Sequence, residues 1–272
     1  MRPRAIQRVL ILSEKWAPDE EFLELSRRTG LKPEILPLRE FVRLAGLTEE
    51  DKHQGICLFA KPMETFGQEN LGMLTDAYLV LVLDQISNPK NLGTILRNAA
   101  FFGADAVVWL KDRSVDLSST AYRVAVGGAE YVKIFKVANI AQTLESLKQL
   151  GFWVYGLDER GEKTLAESNF DAKTVFVVGA EGQGLRERTR ALCDFMVRIP
   201  GGRKGVESLN AGVATAVALA EFFREPKCPS RTTGVQATGR VAPECDPARS
   251  KESFDSKIPE SAPACRVQTG SG

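Results

Sequence analysis

Residues 78–97 read YLVLVLDQISNPKNLGTILR. Six aliphatic or aromatic residues run from Tyr78 to Leu83 without the alternation of a half-solvated strand, so this is a strand buried on both faces. A polar loop stiffened by Pro89 follows, and then a helical pattern containing Gly93 and Arg97. The same alternation recurs downstream. Strands are expected at 78–84, 106–110, 131–137, 152–158, 174–179 and 196–200. Helices are expected at 92–102, 118–126, 140–150, 185–193 and 208–224. Strands alternating with helices describe an α/β fold with a parallel sheet of five or six strands.

Upstream of that block, residues 1–65 read as a small α/β unit with a strand at 9–12, a helix at 19–29, a strand at 34–36, a helix at 38–45 and a closing segment at 53–60. Phe22, Leu23 and Leu25 among acidic neighbours mark the first helix, and Gly30 marks its end. Pro62, Gly67 and Gly72 interrupt the periodicity, and residues 66–77 are expected to be a linker to the larger α/β domain at 78–226. After Pro226 the composition turns to Pro, Ser, Thr and scattered charge with no apolar period. Such a segment cannot offset its ordering entropy, so 227–272 is expected to be a disordered tail.

Composition excludes several chemistries. Thirty-six basic and 35 acidic residues give a formal charge of +1, so any nucleic-acid contact must be local rather than a product of bulk charge. The single histidine, His53, removes the HExxH zinc helix and multi-histidine metal sites, and no metal is expected. Cys57, Cys193, Cys228, Cys245 and Cys265 form neither a CxxC pair nor a disulfide lattice, which points to a reducing, cytoplasmic setting. No apolar run approaches the length of a membrane span, so a soluble chain without a membrane partner is expected.

In an open α/β sheet, ligands bind beyond the carboxyl ends of the strands, and three loops there carry unusual chemistry. The first, 85–97, gathers Asn88, Asn91 and Arg97, with Asn98 next to it; Asn91 is a candidate cap of the helix that begins there. The second, Gly179-Ala180-Glu181-Gly182-Gln183-Gly184, puts three glycines in six positions and lets backbone face a ligand. Its spacing is neither GxGxxG nor a P-loop, and alone it reads as a tight turn. The third passes from Ile199 and Pro200 through Arg203 and Lys204 to Ser208, Leu209 and Asn210 at the start of an apolar helix. Ser208 and Asn210 are what a helix N-cap prefers. The helix is apolar on most faces, so it is either wedged in the domain or packed on a second subunit. Arg186, Arg188, Arg190, Arg198, Arg203 and Lys204 add a run of cations beside these loops. Solvated helix charge is the ordinary reading, and a phosphate track is the alternative.

In this order, the three loops resemble the signature motifs of the SpoU/TrmH family of RNA 2′-O-ribose methyltransferases, of the SPOUT class. Asn88-Pro89 to Arg97 resembles the first motif, Gly179 to Gly184 the second, and Ile199-Pro200 with Glu207-Ser208-Leu209-Asn210 the third. The resemblance implies a parallel α/β sheet whose C-terminal part is threaded into a trefoil knot, and a homodimer. It implies S-adenosylmethionine as cofactor, held at Gly179, Ala180, Gly184, Ile199, Pro200, Ser208, Leu209 and Asn210. It implies catalytic roles for Arg97, Asn91, Glu181, Ser208 and Asn210. Arg186, Arg188, Arg203 and Lys204 are then the RNA-binding cations. Arg97 resembles the family's proposed base. Free guanidine is scarce near neutral pH, so a phosphate clamp that polarises the hydroxyl fits it equally. The third motif departs from the family in Gly201-Gly202-Arg203-Lys204, where a methionine usually follows the proline in a loop about one residue shorter.

The N-terminal unit resembles the ribosomal-protein-like RNA-binding domain of relatives, with His53-Gln54-Gly55 matching a turn at its end. It is shorter at its start by a helix and a strand, as a truncated or reduced domain would be. The implied substrate is RNA, with 23S rRNA favoured over tRNA. A non-catalytic RNA-binding scaffold of the same fold is the alternative of a different class, and a nucleotide-dependent oxidoreductase has the wrong glycine spacing.

Overall fold

In a computed structural model, the described residues are 6–13, 20–48, 53–112, 114–180, 182–201 and 208–224. The expected tail at 227–272 lies outside them.

The N-terminal elements are β1 (Ile6–Leu12), α1 (Glu20–Thr29), β2 (Glu34–Leu36), α2 (Leu38–Ala45) and β3 (Ile56–Ala60). They build a three-stranded sheet with β1 in the middle, parallel to β2 and antiparallel to β3. Leu10 and Leu12 of β1 pack on Phe41 of α2 as a small core. Gly46 ends α2 in the left-handed region (φ 66°), a conformation that costs glycine nothing. His53 closes the turn before β3, its Nδ1 accepting the Gly55 amide at 3.0 Å.

The main sheet begins after a 3₁₀ stretch, Gln68–Leu74, whose Leu71 and Leu74 are buried. The segment expected as a linker is therefore packed: Phe66 pairs with Phe135 through an isolated parallel bridge, and Leu71 and Leu74 join the core under the sheet. Its two glycines read as breakers, yet the leucines are spaced by three, which suits a 3₁₀ turn. Then come β4 (Leu79–Asp84), α3 (Pro89–Phe101), β5 (Ala106–Leu110), α4 (Ser119–Ala125), β6 (Lys133–Val137), α5 (Ile140–Gln149), β7 (Trp153–Leu157), β8 (Lys163–Thr164), β9 (Thr174–Gly179), α6 (Glu187–Ala191), β10 (Phe195–Arg198) and α7 (Ala211–Arg224).

Seven strands lie in the order β6-β5-β4-β9-β7-β10-β8, every neighbouring pair parallel. The chain runs outward from β4 to β6, crosses to β7, and later inserts β9 between β4 and β7. That reversal beside β4 is the switch point where open α/β sheets bind ligands. One face of the sheet packs on α3, α4 and α7 around Leu81, Leu83, Ile95, Trp109, Phe176 and Leu219. The other packs on α5 and the 3₁₀ stretch around Val80, Val82, Phe135, Leu144 and Leu147. Both sides of β4 are therefore covered, which explains its unbroken apolar run.

The N-terminus of α3 differs from the sequence expectation. Asn88, not Asn91, caps the helix: its Oδ1 accepts the Lys90 amide at 2.9 Å, with Pro89 in the first turn, where its missing N–H costs nothing. Asn91 lies inside the helix and is buried. Gly93 lets α4 close in, since a Cβ there would lie 2.6 Å from the Ala121 carbonyl oxygen.

Candidate active site

Beyond the carboxyl ends of β7, β9 and β10 lies a cavity of about 490 Å³, within the range typical of small-molecule sites. Leu157, Val178, Val197, Ile199 and Leu209 give it apolar walls, while Gly179, Ala180 and Gly184 line it with backbone. The second loop is drawn into a tight hairpin by reciprocal bonds between Ala180 and Gly184, Ala180 N–H to Gly184 oxygen at 3.1 Å and the reverse at 2.9 Å. Gly179 has no room for a side chain: a Cβ would lie 2.3 Å from the Gly184 carbonyl carbon. Gly182 and Gly184 turn in the left-handed region, at φ 77° and 67°.

The third loop closes the cavity from the other side, with Ile199, Pro200 and Gly201 leaving β10 and Ser208 and Leu209 entering α7. Asn210 caps α7, its Oδ1 accepting the Gly212 amide at 3.0 Å, while its Nδ2 donates to Asn91 Oδ1 at 2.9 Å. One side chain thus joins the first loop's helix to the third loop. Asn98 adds a second tie, its Nδ2 donating to the Gly212 carbonyl at 3.0 Å. These contacts need Gly212, where a Cβ would meet Thr94 Cγ2 at 2.7 Å.

Of the expected cofactor residues, Gly179, Ala180, Gly184, Ile199, Pro200, Ser208 and Leu209 all line the one cavity. Asn210 stands behind them as the cap. Arg97 does not line it: the side chain is exposed and forms no hydrogen bond or ion pair among the described residues. It lies six residues past Asn91, roughly 9 Å along α3 at 1.5 Å per residue. Glu181, Arg203, Lys204 and Glu207 fall outside the described residues.

Two ion pairs at the strand ends were not legible beforehand. Asp84 closes β4 with its side chain fully buried, and Arg186 grips it through Nε and Nη2, both at 2.7 Å from Oδ1. The Arg186 amide also reaches Asp84 Oδ2 at 3.3 Å. Arg186, expected as a free RNA-binding cation, therefore ties the end of the glycine loop to the strand that launches the first loop. Asp158 ends β7 in the cavity wall and is paired with Arg190 of α6. A carboxylate at a strand end followed by arginines 32 residues on is a weak signal, since the pairing is not local. Behind the cavity, burial pushes the Cys193 thiol up to about 12, marking it as a packing group rather than a nucleophile.

On one exposed strip, α7 carries Val213, Val217 and Phe223, and α3 ends in Phe101, which is 82% exposed. Among the described residues no group of His, Cys, Asp and Glu is arranged to hold a metal ion, and no helix is long and apolar enough to cross a membrane.

Residues 78–220, which contain every loop of the cavity, match the SpoU rRNA Methylase family. The chain belongs to the SpoU family. Among its relatives, the 23S rRNA (guanosine-2′-O-)-methyltransferase RlmB of Pseudomonas aeruginosa is 41% identical over 180 residues, 65% of this chain and 72% of that protein. The RlmB of Ralstonia nicotianae is 40% identical over 210 residues, 76% of this chain and 82% of its own length. That of Salmonella typhimurium is 35% identical over 226 residues, covering 82% and 92%. The SpoU methyltransferase AviRb from Streptomyces viridochromogenes, crystallised with the cofactor AdoMet, shares the fold at a TM-score of 0.67 and 20% identity, over 80% of this chain and 82% of that one.

Proposed function

We infer that this chain transfers the methyl group of S-adenosylmethionine to a ribose 2′-hydroxyl of 23S rRNA. The observation that carries the reading is the convergence of the second and third loops on one cavity, in a chain whose 35–41% identical relatives are 23S rRNA guanosine-2′-O-methyltransferases. The residues fit the cofactor. Leu157, Val178, Ile199 and Leu209 offer an apolar slot for the adenine, and the backbone of Gly179, Ala180 and Gly184 lines the same cavity for its polar edge. When bound, the cofactor supplies an electrophilic methyl on a sulfonium, so the protein's task is alignment and exclusion of water.

That task falls to named groups. The ties from Asn210 to Asn91 and from Arg186 to Asp84 fix the first loop relative to the cavity, so the ribose and the methyl donor share one frame. Arg97, exposed on α3 and without a hydrogen bond or ion pair among the described residues, is available to hold the phosphate beside the target ribose and polarise its hydroxyl, whose proton leaves to solvent as the oxygen takes the methyl; neutral guanidine is too scarce at neutral pH to favour direct proton abstraction. Glu181, Arg203 and Lys204 are assigned to the same site from their motif positions, Glu181 to orient the ribose or Arg97 and the two cations to bind RNA.

The C-terminal part is assigned the family's trefoil knot, a reading supported by α7 being held against α3 while its leading loop lines the cavity. Residues 1–65 are assigned to RNA binding. The exposed strip of Val213, Val217 and Phe223 supports a homodimer, and the cysteine usage a cytoplasmic location. The test is Arg97→Ala. Calorimetry is expected to show S-adenosylmethionine binding within twofold of wild type, while 2′-O-methylation of rRNA falls at least a hundredfold; near-normal turnover removes Arg97 from the chemistry.

A further inference from the structure

A second, smaller cavity of about 230 Å³ opens at the same edge of the sheet, beyond the carboxyl ends of β5 and β6. Leu110, Ile140 and Ala141 make its apolar floor, and Asn139, Arg186, Arg188 and Thr189 its polar rim. Among the described residues no carboxylate lines it. The rim presents donors. Arg188 is exposed and forms no hydrogen bond or ion pair among the described residues. Arg186 spends Nε and Nη2 on Asp84, and its Nη1 has no partner among the described residues. Asn139 caps the ten-residue helix α5 through Oδ1, which accepts the Ala141 amide at 2.9 Å, so its Nδ2 remains to donate. Thr189 is only 2% exposed, and its hydroxyl finds no partner among the described residues. Its oxygen is not sealed off: Thr189 lines the cavity and keeps access to it, so the hydroxyl is open to bond with what enters.

We propose that this cavity is a phosphodiester subsite for the RNA, holding one backbone phosphate against Arg188, Arg186 and Thr189, with the attached ribose over Leu110 and Ile140. A rim with two arginines selects an anion, and the apolar floor selects one carrying a non-polar body rather than a free ion. Its place suits a strand that also enters the first cavity. Three strand spacings separate the β5–β6 edge from the β9–β7 edge, about 14 Å at 4.7–4.9 Å each. A stacked strand rises about 3.4 Å per nucleotide, so the phosphate held is roughly four nucleotides from the modified ribose. The ion pair of Arg186 with Asp84 sits between the two cavities and links occupancy of one to the loop of the other.

This subsite rests on the RNA reading above, and the experiment separates the two. Wild type, Arg188→Ala, Ala138→Trp (which fills the mouth from an exposed position) and the double variant are titrated with a 23S rRNA fragment at several salt concentrations. Calorimetry with S-adenosylmethionine serves as the fold control. Each single variant is expected to weaken RNA binding about tenfold, the loss of one charge-assisted bond, and to lower the slope of log K against log salt by about one. The double variant is expected to be no worse than the weaker single, because both remove the same contact. RNA affinity and slope unchanged in both singles, or losses that add in the double, overturn the subsite while leaving the methyltransferase reading intact. A wild-type chain that binds no RNA overturns both.

Discussion

The two sheets of this chain solve burial differently. In the main sheet β4, β5 and β9 are enclosed by helices on one face and by helices and a 3₁₀ turn on the other. In the N-terminal sheet β3 alternates between exposed and half-buried residues, and Ile35, Ile56 and Leu58 are each about half exposed, at 48%, 50% and 50%. The first arrangement yields a rigid edge on which loops can be aligned within a bond length. The second buries its central strand, with Val9 and Ile11 covered, and leaves the apolar residues of its flanking strands half open, as suits an element that docks on something larger. Rigidity is concentrated where the chemistry is proposed, and adaptability where recognition is assigned.

The strongest way to break this comparison is to hollow each core. Phe176→Ala in β9 is expected to cost about 3–5 kcal/mol in chemical denaturation and to abolish cofactor binding with it. Phe41→Ala removes the same kind of buried ring from the small core, and is expected to leave S-adenosylmethionine affinity within twofold. Equal loss of cofactor binding in both would mean that the sheets unfold as one unit.

Next in size is the clamp that distinguishes the main sheet's edge. Asp84→Asn keeps the shape but removes the charge that holds Arg186, and is expected to cost about 2 kcal/mol and to weaken cofactor binding several-fold. Unchanged affinity would leave the pair a purely structural one.

Smaller effects appear as opposite pH limbs. Burial and the Asp171 carboxylate, which accepts the Tyr155 hydroxyl at 2.8 Å, raise the pKa of Tyr155 above its ordinary value near 10. The folded state thus favours the neutral phenol. Its contribution is complete below about pH 10 and is lost as pH rises from there toward the folded value, so Tyr155→Phe is expected to flatten the alkaline fall in thermal stability. In the N-terminal sheet Arg8 bonds Glu34 at 2.6 and 2.7 Å and holds its carboxyl below the usual range. That contribution is present above the ordinary glutamate value and disappears as pH falls through the lowered one, and Glu34→Gln is expected to shift the acid limb least of all, because the pair is exposed.

Most of the main sheet was legible because strands enclosed on both sides appear as unbroken apolar runs: 106–110 and 174–179 match their strands to the residue. The ends of helices were less so. The helix expected from Leu92 begins at Pro89, since Asn88 and Pro89 form a capped start that apolar periodicity does not register. The two-residue β8 is too short for any period, and the 3₁₀ turn was masked by its glycines. Within the site, the loops could be read because glycine and asparagine carry backbone consequences. The pairings of Asp84 with Arg186 and Asp158 with Arg190 could not, because carboxylate and arginine meet across 102 and 32 residues. Arg97 is assigned to catalysis by its motif, and a motif does not say which face of a helix a side chain occupies.

The order of the main sheet also bears on how the chain must be made. β9 supplies the partner that β4 needs on one flank, yet 95 positions separate Leu79 from Thr174. At about 5–20 residues per second on the ribosome, roughly 5–20 s pass before that partner emerges. For that interval a strand whose six residues are all buried in the finished fold has an open edge, and a nascent chain in that state is a natural client for whatever shields hydrophobic edges during synthesis.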